Sequence, residues 1–244
     1  MTSQGDGRFP STHWTLIARI KSTDETEVAK ALDEVCTQYH YPLYCYLRRR
    51  GCNHHDAQDV LHDFLARLLR HRALERVEED RGRLRGYLSL AINRHLQTWQ
   101  QSAAQRTERM AAGSLPIDFK AIEDRYHREK FAAADTPDLI FERKWATEML
   151  QHVIAKLGEI YQKKGRPELF ATLRPVLESG GSLRGDDSTA LAARAGLSEA
   201  ALRTALSRLL REFREILRAE VRLTVENADE IPDELSYLMG LFQR

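Results

Sequence analysis

The residues whose types could do chemistry are crowded into one short stretch. His54-His55-Asp56 and His62-Asp63, with His40 upstream, carry the imidazoles and carboxylates that hold metal ions in phosphohydrolases. Cys52 adds a thiol beside His54 and His55. The spacing argues against that chemistry. Asp56 and Asp63 lie two helical turns apart, no distant Asp motif completes a metal shell, and Val60, Leu61 and Phe64 tie the segment into a packed helix. A structural zinc site needs four ligands in paired spacings, which Cys52 and its neighbours do not supply. Gly180-Gly181 lacks the Lys and Ser or Thr of a phosphate-binding loop, and no nucleophile motif is found. The expectation is a protein that catalyses nothing and needs no metal or other cofactor.

The same carboxylates fit a binding role. Asp56, Asp59 and Asp63 stand at i, i+3 and i+7, an acidic stripe that is either a solvated helix face or a dock for a basic partner. The next segment has the opposite sign. From 81 to 109 it carries Arg81, Arg83, Arg85, Arg94, Arg106 and Arg109 against the single acid Glu108, interleaved with Tyr87 and Trp99 and the amides Asn93, Gln97, Gln100 and Gln101. Cations to hold a strand, aromatics to stack and amides to read base edges suit single-stranded nucleic acid. Trp99 fits the apolar stripe of its helix equally well, and a buried Trp is the commoner case.

A third constellation lies at 187–211. A helix-turn-helix needs a small residue where two helices cross, a Gly able to take positive φ at the turn and a cap that opens the second helix. Ala192, Gly196 and Ser198 follow in that order. Leu191, Ala195, Leu197, Leu202 and Ala205 then fall inside, and Glu199, Arg203, Thr204, Ser207, Arg208 and Arg211 face out toward a DNA groove. The plainer alternative is a helical hairpin that only packs.

The elements that must position these groups are helices. Apolar residues recur at three and four along nearly every periodic segment, and strand-type alternation is missing. Helices are expected at 25–50 (stopped by Gly51, with a kink at Pro42), 54–71, 83–101, 137–160 and 167–177, with a loop at 178–182. The expected fold is all-α, two helical domains at 1–105 and 137–223, joined by a flexible linker at 106–136 and followed by an acidic tail at 224–244. That tail, with Glu226, Asp229, Glu230, Asp233 and Glu234, is read as a solvated segment or as a cover for a basic face. With 244 residues, 42% hydrophobic and 30% charged, the chain is long enough for such cores. Its net charge of +1 means that any polyanion is bound through local charge. The longest uncharged apolar-rich run, 35–47, is too short to cross a bilayer, and the first residues do not read as a secretory signal. A cytoplasmic protein with Cys36, Cys45 and Cys52 as reduced thiols is expected.

These motifs carry a family resemblance. Tyr41-Pro42-Leu43-Tyr44-Cys45-Tyr46-Leu47-Arg48-Arg49-Arg50-Gly51, then Asp56-Ala57-Gln58-Asp59-Val60 and Phe64-Leu65-Ala66-Arg67-Leu68-Leu69, resemble region two of bacterial sigma factors. Leu84-Arg85-Gly86-Tyr87-Leu88-Ser89-Leu90-Ala91-Ile92-Asn93 does so too, and the helix-turn-helix is similar to region four. The pairing, without other regions, resembles the extracytoplasmic-function group. The resemblance implies a protein that binds core RNA polymerase and with it recognises and melts a promoter. It makes Asp56, Asp59, His62, Asp63, Phe64 and Arg67 candidates for docking on the polymerase β′ clamp. Arg83, Arg85, Asn93, Arg94, Gln97, Trp99 and Gln101 become candidates for the minus-ten strand. Ser198, Glu199, Arg203, Thr204, Ser207, Arg208 and Arg211 become candidates for the minus-thirty-five duplex, near the β flap. An anti-sigma factor is a further partner of such proteins. Gln100-Gln101 stands where the family carries a basic pair, so weak DNA binding without polymerase is expected. The alternative is a helix-turn-helix regulator that binds duplex DNA without core polymerase, which leaves the acidic helix and the basic segment without a task.

Overall fold

The structure, a computed structural model, describes residues 19, 22, 24–70, 84–101, 117–183, 185–225 and 227–243. Among them there are helices and no strand: α1 Glu25–Arg49, α2 His54–Arg70, α3 Leu84–Gln101, α4 Phe119–Arg128, α5 Pro137–Lys163, α6 Pro167–Glu178, α7 Gly185–Ala195, α8 Glu199–Arg222 and, after a 3-10 turn at Ala228–Glu230, α9 Ile231–Phe242. The chain divides into two compact units, Met1–Glu148 with Arg222–Arg244, and Met149–Val221.

Local chemistry explains the ends of the first helices. Asp24 caps α1 by accepting from the Thr26 and Glu27 N–H groups. α1 runs through Pro42, which has no N–H to give the preceding turn. It stops at Gly51, whose φ of 94° lets the Cys52 N–H return to the Leu47 carbonyl at 3.1 Å. Asn53 then opens α2, its Oδ1 accepting from the Asp56 N–H at 2.8 Å and its amide donating to the Asp56 carboxylate at 3.0 Å. The buried stripes of α1 (Val35, Tyr39, Leu43, Leu47), α2 (Ala57, Leu61, Leu65, Leu68) and α3 (Leu88, Ile92, Leu96) supply much of the first unit's core. The Cys45 thiol lies in this core, where burial pushes its pKa up to about 12, so it is protonated at neutral pH.

Two expectations are corrected here. Residues 117–136 were expected to belong to a flexible linker, but they form α4 and a turn held against α1; residues 106–116 lie outside the described residues. Glu123 on α4 accepts from the Tyr44 hydroxyl and the Arg48 guanidinium. Arg125 lies 3.7 Å above the Tyr41 ring and donates to Glu148 at 2.6 Å. Arg49 donates to the Asp135 carbonyl at 2.7 Å. These groups form charged and aromatic contacts, so the segment lacks the apolar periodicity that marks a packed helix in sequence.

The tail is not a solvated segment either. Glu234, Leu238 and Leu241 share one face of α9 and are buried. Glu234, fully buried, pairs through both oxygens with Arg85 in the first turn of α3, which is itself 4% exposed. Arg85 also pairs with Glu142 of α5 at 2.8 Å, and its guanidinium lies 4.6 Å from the Trp145 ring and 5.3 Å from that of Tyr237. Burial works against the charge on Arg85, and the two carboxylates more than restore it. Arg143 adds a hydrogen bond to the Leu241 carbonyl at 2.9 Å.

Removing one partner of such a pair leaves a buried charge, so Glu234→Ala should destabilise the protein by about 3–5 kcal/mol in urea unfolding, and Glu234→Gln by less. The Arg85→Met, Glu234→Leu double variant should recover part of the loss. A second outcome concerns acid. Burial opposes ionisation of Glu123, but Tyr44, Arg48 and the nearby His54 hold its pKa below the ordinary 4.5. A carboxylate depressed in the folded state stabilises above its unfolded pKa and loses that contribution as pH falls through the folded one. Unfolding measured across a pH series should therefore show stability falling below about pH 4.5, with a shallower fall in Glu123→Gln.

Candidate nucleic-acid interface

The first unit presents α3 with two unlike faces. Arg85, Leu88, Ile92, Leu96 and Trp99 form a buried stripe at spacings of three and four. Arg94, Gln97 and Gln101 lie on the exposed side with Leu90, which is 50% exposed. Of the residues expected at single-stranded DNA, these three polar ones are therefore accessible. Asn93 is half-buried and its side-chain oxygen accepts from the Arg50 guanidinium. Arg83 lies outside the described residues.

Arg85 and Trp99 are corrections. Arg85 is enclosed by Glu142, Glu234 and two aromatic rings, and Trp99 is 9% exposed, so neither offers a surface to a strand. Their positions on the same stripe as Leu88 and Ile92 carry them inward with it. Sequence reading missed Leu90 and Arg50. Arg50 was visible as the last of three consecutive arginines before Gly51, but only the fold separates them: Arg48 turns to Glu123, Arg49 to backbone carbonyls, and Arg50 stays exposed beside Asn93.

On α2 the expected acidic face is unevenly available. Asp59 is exposed. Asp56 is half-buried and hydrogen-bonded to Asn53, and Asp63 pairs with Arg67 at 3.2 Å and with His95 of α3 at 3.3 Å. His62 and Arg67 are half-buried. Phe64 is a correction: it is 4% exposed, on the core stripe with Val60, Leu61 and Leu68, with its ring 5.8 Å from that of His95.

In the second unit α7 and α8 follow one another across a short turn at Gly196. The unit's core gathers Leu157, Tyr161, Leu173, Val176, Leu177, Ala192, Leu202, Leu206 and Leu209. Gly196 takes φ 64° and ends α7: its N–H meets the Ala193 carbonyl at 3.2 Å, and the Leu197 N–H meets that of Ala192 at 2.9 Å. A Cβ at Gly196 would meet nothing within 4 Å, so the requirement is conformational and not spatial. Ser198 then caps α8, its hydroxyl accepting from the Ala201 N–H at 3.2 Å.

Arg203, Thr204, Ser207, Arg208 and Arg211 are all exposed on α8, as expected for a groove-facing side. Glu199 has a different task. Its carboxylate accepts from the Thr189 hydroxyl at 2.8 Å and the Ser188 hydroxyl at 3.0 Å, and pairs with Arg203 at 3.1 Å. The Thr189 and Ser188 hydrogen bonds, with the charge of Arg203, hold its pKa below the ordinary value. Glu199 thus joins α7 to α8 within the unit.

Among the described residues no three His, Cys, Asp or Glu side chains gather as a metal site, and no helix is long and apolar enough to cross a membrane. No family model, curated protein or solved structure matches the chain.

Gly196→Ala should destabilise the protein by about 1–2 kcal/mol in denaturant unfolding, the cost of forcing an L-residue into the left-handed region. Gly196→Asn, whose side chain tolerates the left-handed region, should cost less than Gly196→Ala. Equal losses in the two variants would show that the turn does not depend on the Gly196 conformation.

Proposed function

We propose that this chain is a sigma factor of the extracytoplasmic-function group, a cytoplasmic protein that binds core RNA polymerase and directs promoter recognition and transcription initiation without catalysing a reaction or holding a cofactor. The observation that carries the reading is the turn at Ala192, Gly196 and Ser198, which leaves Arg203, Thr204, Ser207, Arg208 and Arg211 exposed on one capped helix. These five are assigned to the minus-thirty-five duplex, and Ser198 and Glu199 to building the helix that carries them.

The polar face of α3 supports a second, single-stranded site. Arg94, Gln97 and Gln101, with Leu90 beside them and Arg50 near Asn93, are assigned to the minus-ten strand. Asp59 with His62, Asp63 and Arg67 is assigned to the β′ clamp, with Phe64 supporting them from below. The second unit reaches the β flap, and an anti-sigma factor is the regulatory partner that fits this class. Two modest sites on one chain gain affinity when both are engaged at once.

Transcription from genomic fragments with core polymerase and this protein tests the reading, against core alone and protein alone. Discrete start sites are expected only in the combined reaction. Arg94→Ala and Arg203→Ala should each lower transcript yield, and Asp59→Arg should lower polymerase binding while leaving urea unfolding unchanged. No transcripts in the combined reaction, with duplex binding by the chain alone, would overturn the proposal in favour of a regulator that acts without polymerase.

A further inference from the structure

The second unit holds a cleft of about 460 Å³ lined by residues of α5, α6, α8 and the turn between α5 and α6. Tyr161 and Leu169 form part of its wall, and Lys164, Arg166, Arg208 and Glu212 bring charge to it. Small-molecule sites of this size are mostly apolar, whereas this one gathers three cations and one carboxylate. Glu212 is already engaged: it accepts from the Lys164 ammonium at 2.8 Å, and that ammonium lies 5.3 Å from the Tyr161 ring centre.

Arg166 and Arg208 have no carboxylate partner among the described residues, and both are exposed. The cleft therefore carries the uncompensated charge of two guanidiniums. Both stand near enough to Tyr161 to act on its hydroxyl, whose pKa burial and Glu212 raise and the two arginines oppose. Arg208 belongs to two surfaces at once. It is exposed next to Ser207 and one turn beyond Thr204 on the groove-facing side of α8, and it also lines the cleft.

We propose that this cleft seats a backbone phosphate of the DNA duplex that α8 reads, with Arg166 and Arg208 as its ligands and Lys164 at its edge. The inference rests on the duplex-reading role assigned to α8 and adds Arg166 and Lys164, which that role does not include. A guanidinium presents paired N–H donors to phosphate oxygens and cannot lose its charge, which suits the contact. Glu212 acts as a positioning residue, holding Lys164 and adding a negative charge that tempers the site. A contact of this kind carries no base information, so it sets affinity and leaves sequence preference to Arg203, Thr204 and Ser207.

The test is fluorescence anisotropy of the full chain on duplex DNA across a salt titration, starting at low salt. Arg166→Ala should weaken binding about three- to tenfold, equally for duplexes of different sequence, and reduce the slope of log affinity on log salt by about 1. Arg166→Lys should keep the slope, and Glu212→Gln should tighten binding, a sign opposite to that of a merely destabilising change. Circular dichroism confirms that each variant is folded. If Arg203→Ala weakens binding while Arg166→Ala leaves the slope unchanged, the cleft proposal alone is overturned. If the wild-type chain binds no duplex at any salt, the duplex role of α8 is overturned and the proposal with it. ATP and inorganic pyrophosphate titrated without DNA distinguish a free phosphate ligand: binding lost in Arg166→Ala with no change in the duplex slope would overturn the DNA assignment.

Discussion

A buried guanidinium organises the first unit. Taking Arg85 out of water is costly, and the cost is offset only where carboxylates and aromatic faces surround it. The compensating groups come from far along the chain, Glu142 and Trp145 from α5 and Glu234 and Tyr237 from α9. Closing the cage therefore brings α3, α5 and the C-terminal helix together. It also fixes the rotation of α3 about its axis. With Arg85 inside, Leu88, Ile92, Leu96 and Trp99 follow it inward, and Arg94, Gln97 and Gln101 are left outside.

A second charged network does the same for α4. Glu123, with Tyr44 and Arg48, and Arg125, with Tyr41 and Glu148, attach α4 to α1 and α5. Together the two networks withdraw Arg85, Arg48 and Arg125 from the pool of cations that composition would assign to nucleic acid. On α3 and the end of α1 the exposed positive charge that remains is at Arg50 and Arg94, and α4 and the turn after it add Lys120, Arg128 and Lys130. In the second unit Arg203 and Arg211 on the exposed face of α8 pair with Glu199 and Glu215, and Lys164 with Glu212, whereas Arg166 and Arg208 have no carboxylate partner among the described residues.

Much of the architecture was legible in the residues. The helices at 25–49, 54–70, 84–101, 137–163 and 167–178 follow the apolar periodicity to within a few residues, because an amphipathic stripe has one way to be buried as a helix. The turn at Gly196 and the cap at Ser198 were legible for a related reason: positive φ and an N-cap hydroxyl are demands of the local backbone, met by residues within a few positions. α4 and α9 were not legible as packed elements. Their contacts depend on single charged or aromatic side chains meeting partners 75 to 149 residues away, a pairing that no local period encodes.

The sequence by itself determined that this is a helical protein, where most helices start and stop, and that α7 and α8 are joined by a tight turn at Gly196, since each follows from interactions within a few turns of chain. Only the tertiary structure decided which polar residues remain at the surface. Arg85 and Glu199 share their types with exposed neighbours such as Arg94 and Asp59, and what separates them is a partner brought by another segment. The free energy of a charged or aromatic side chain depends on those partners and on its distance from water, and both are properties of the assembled fold.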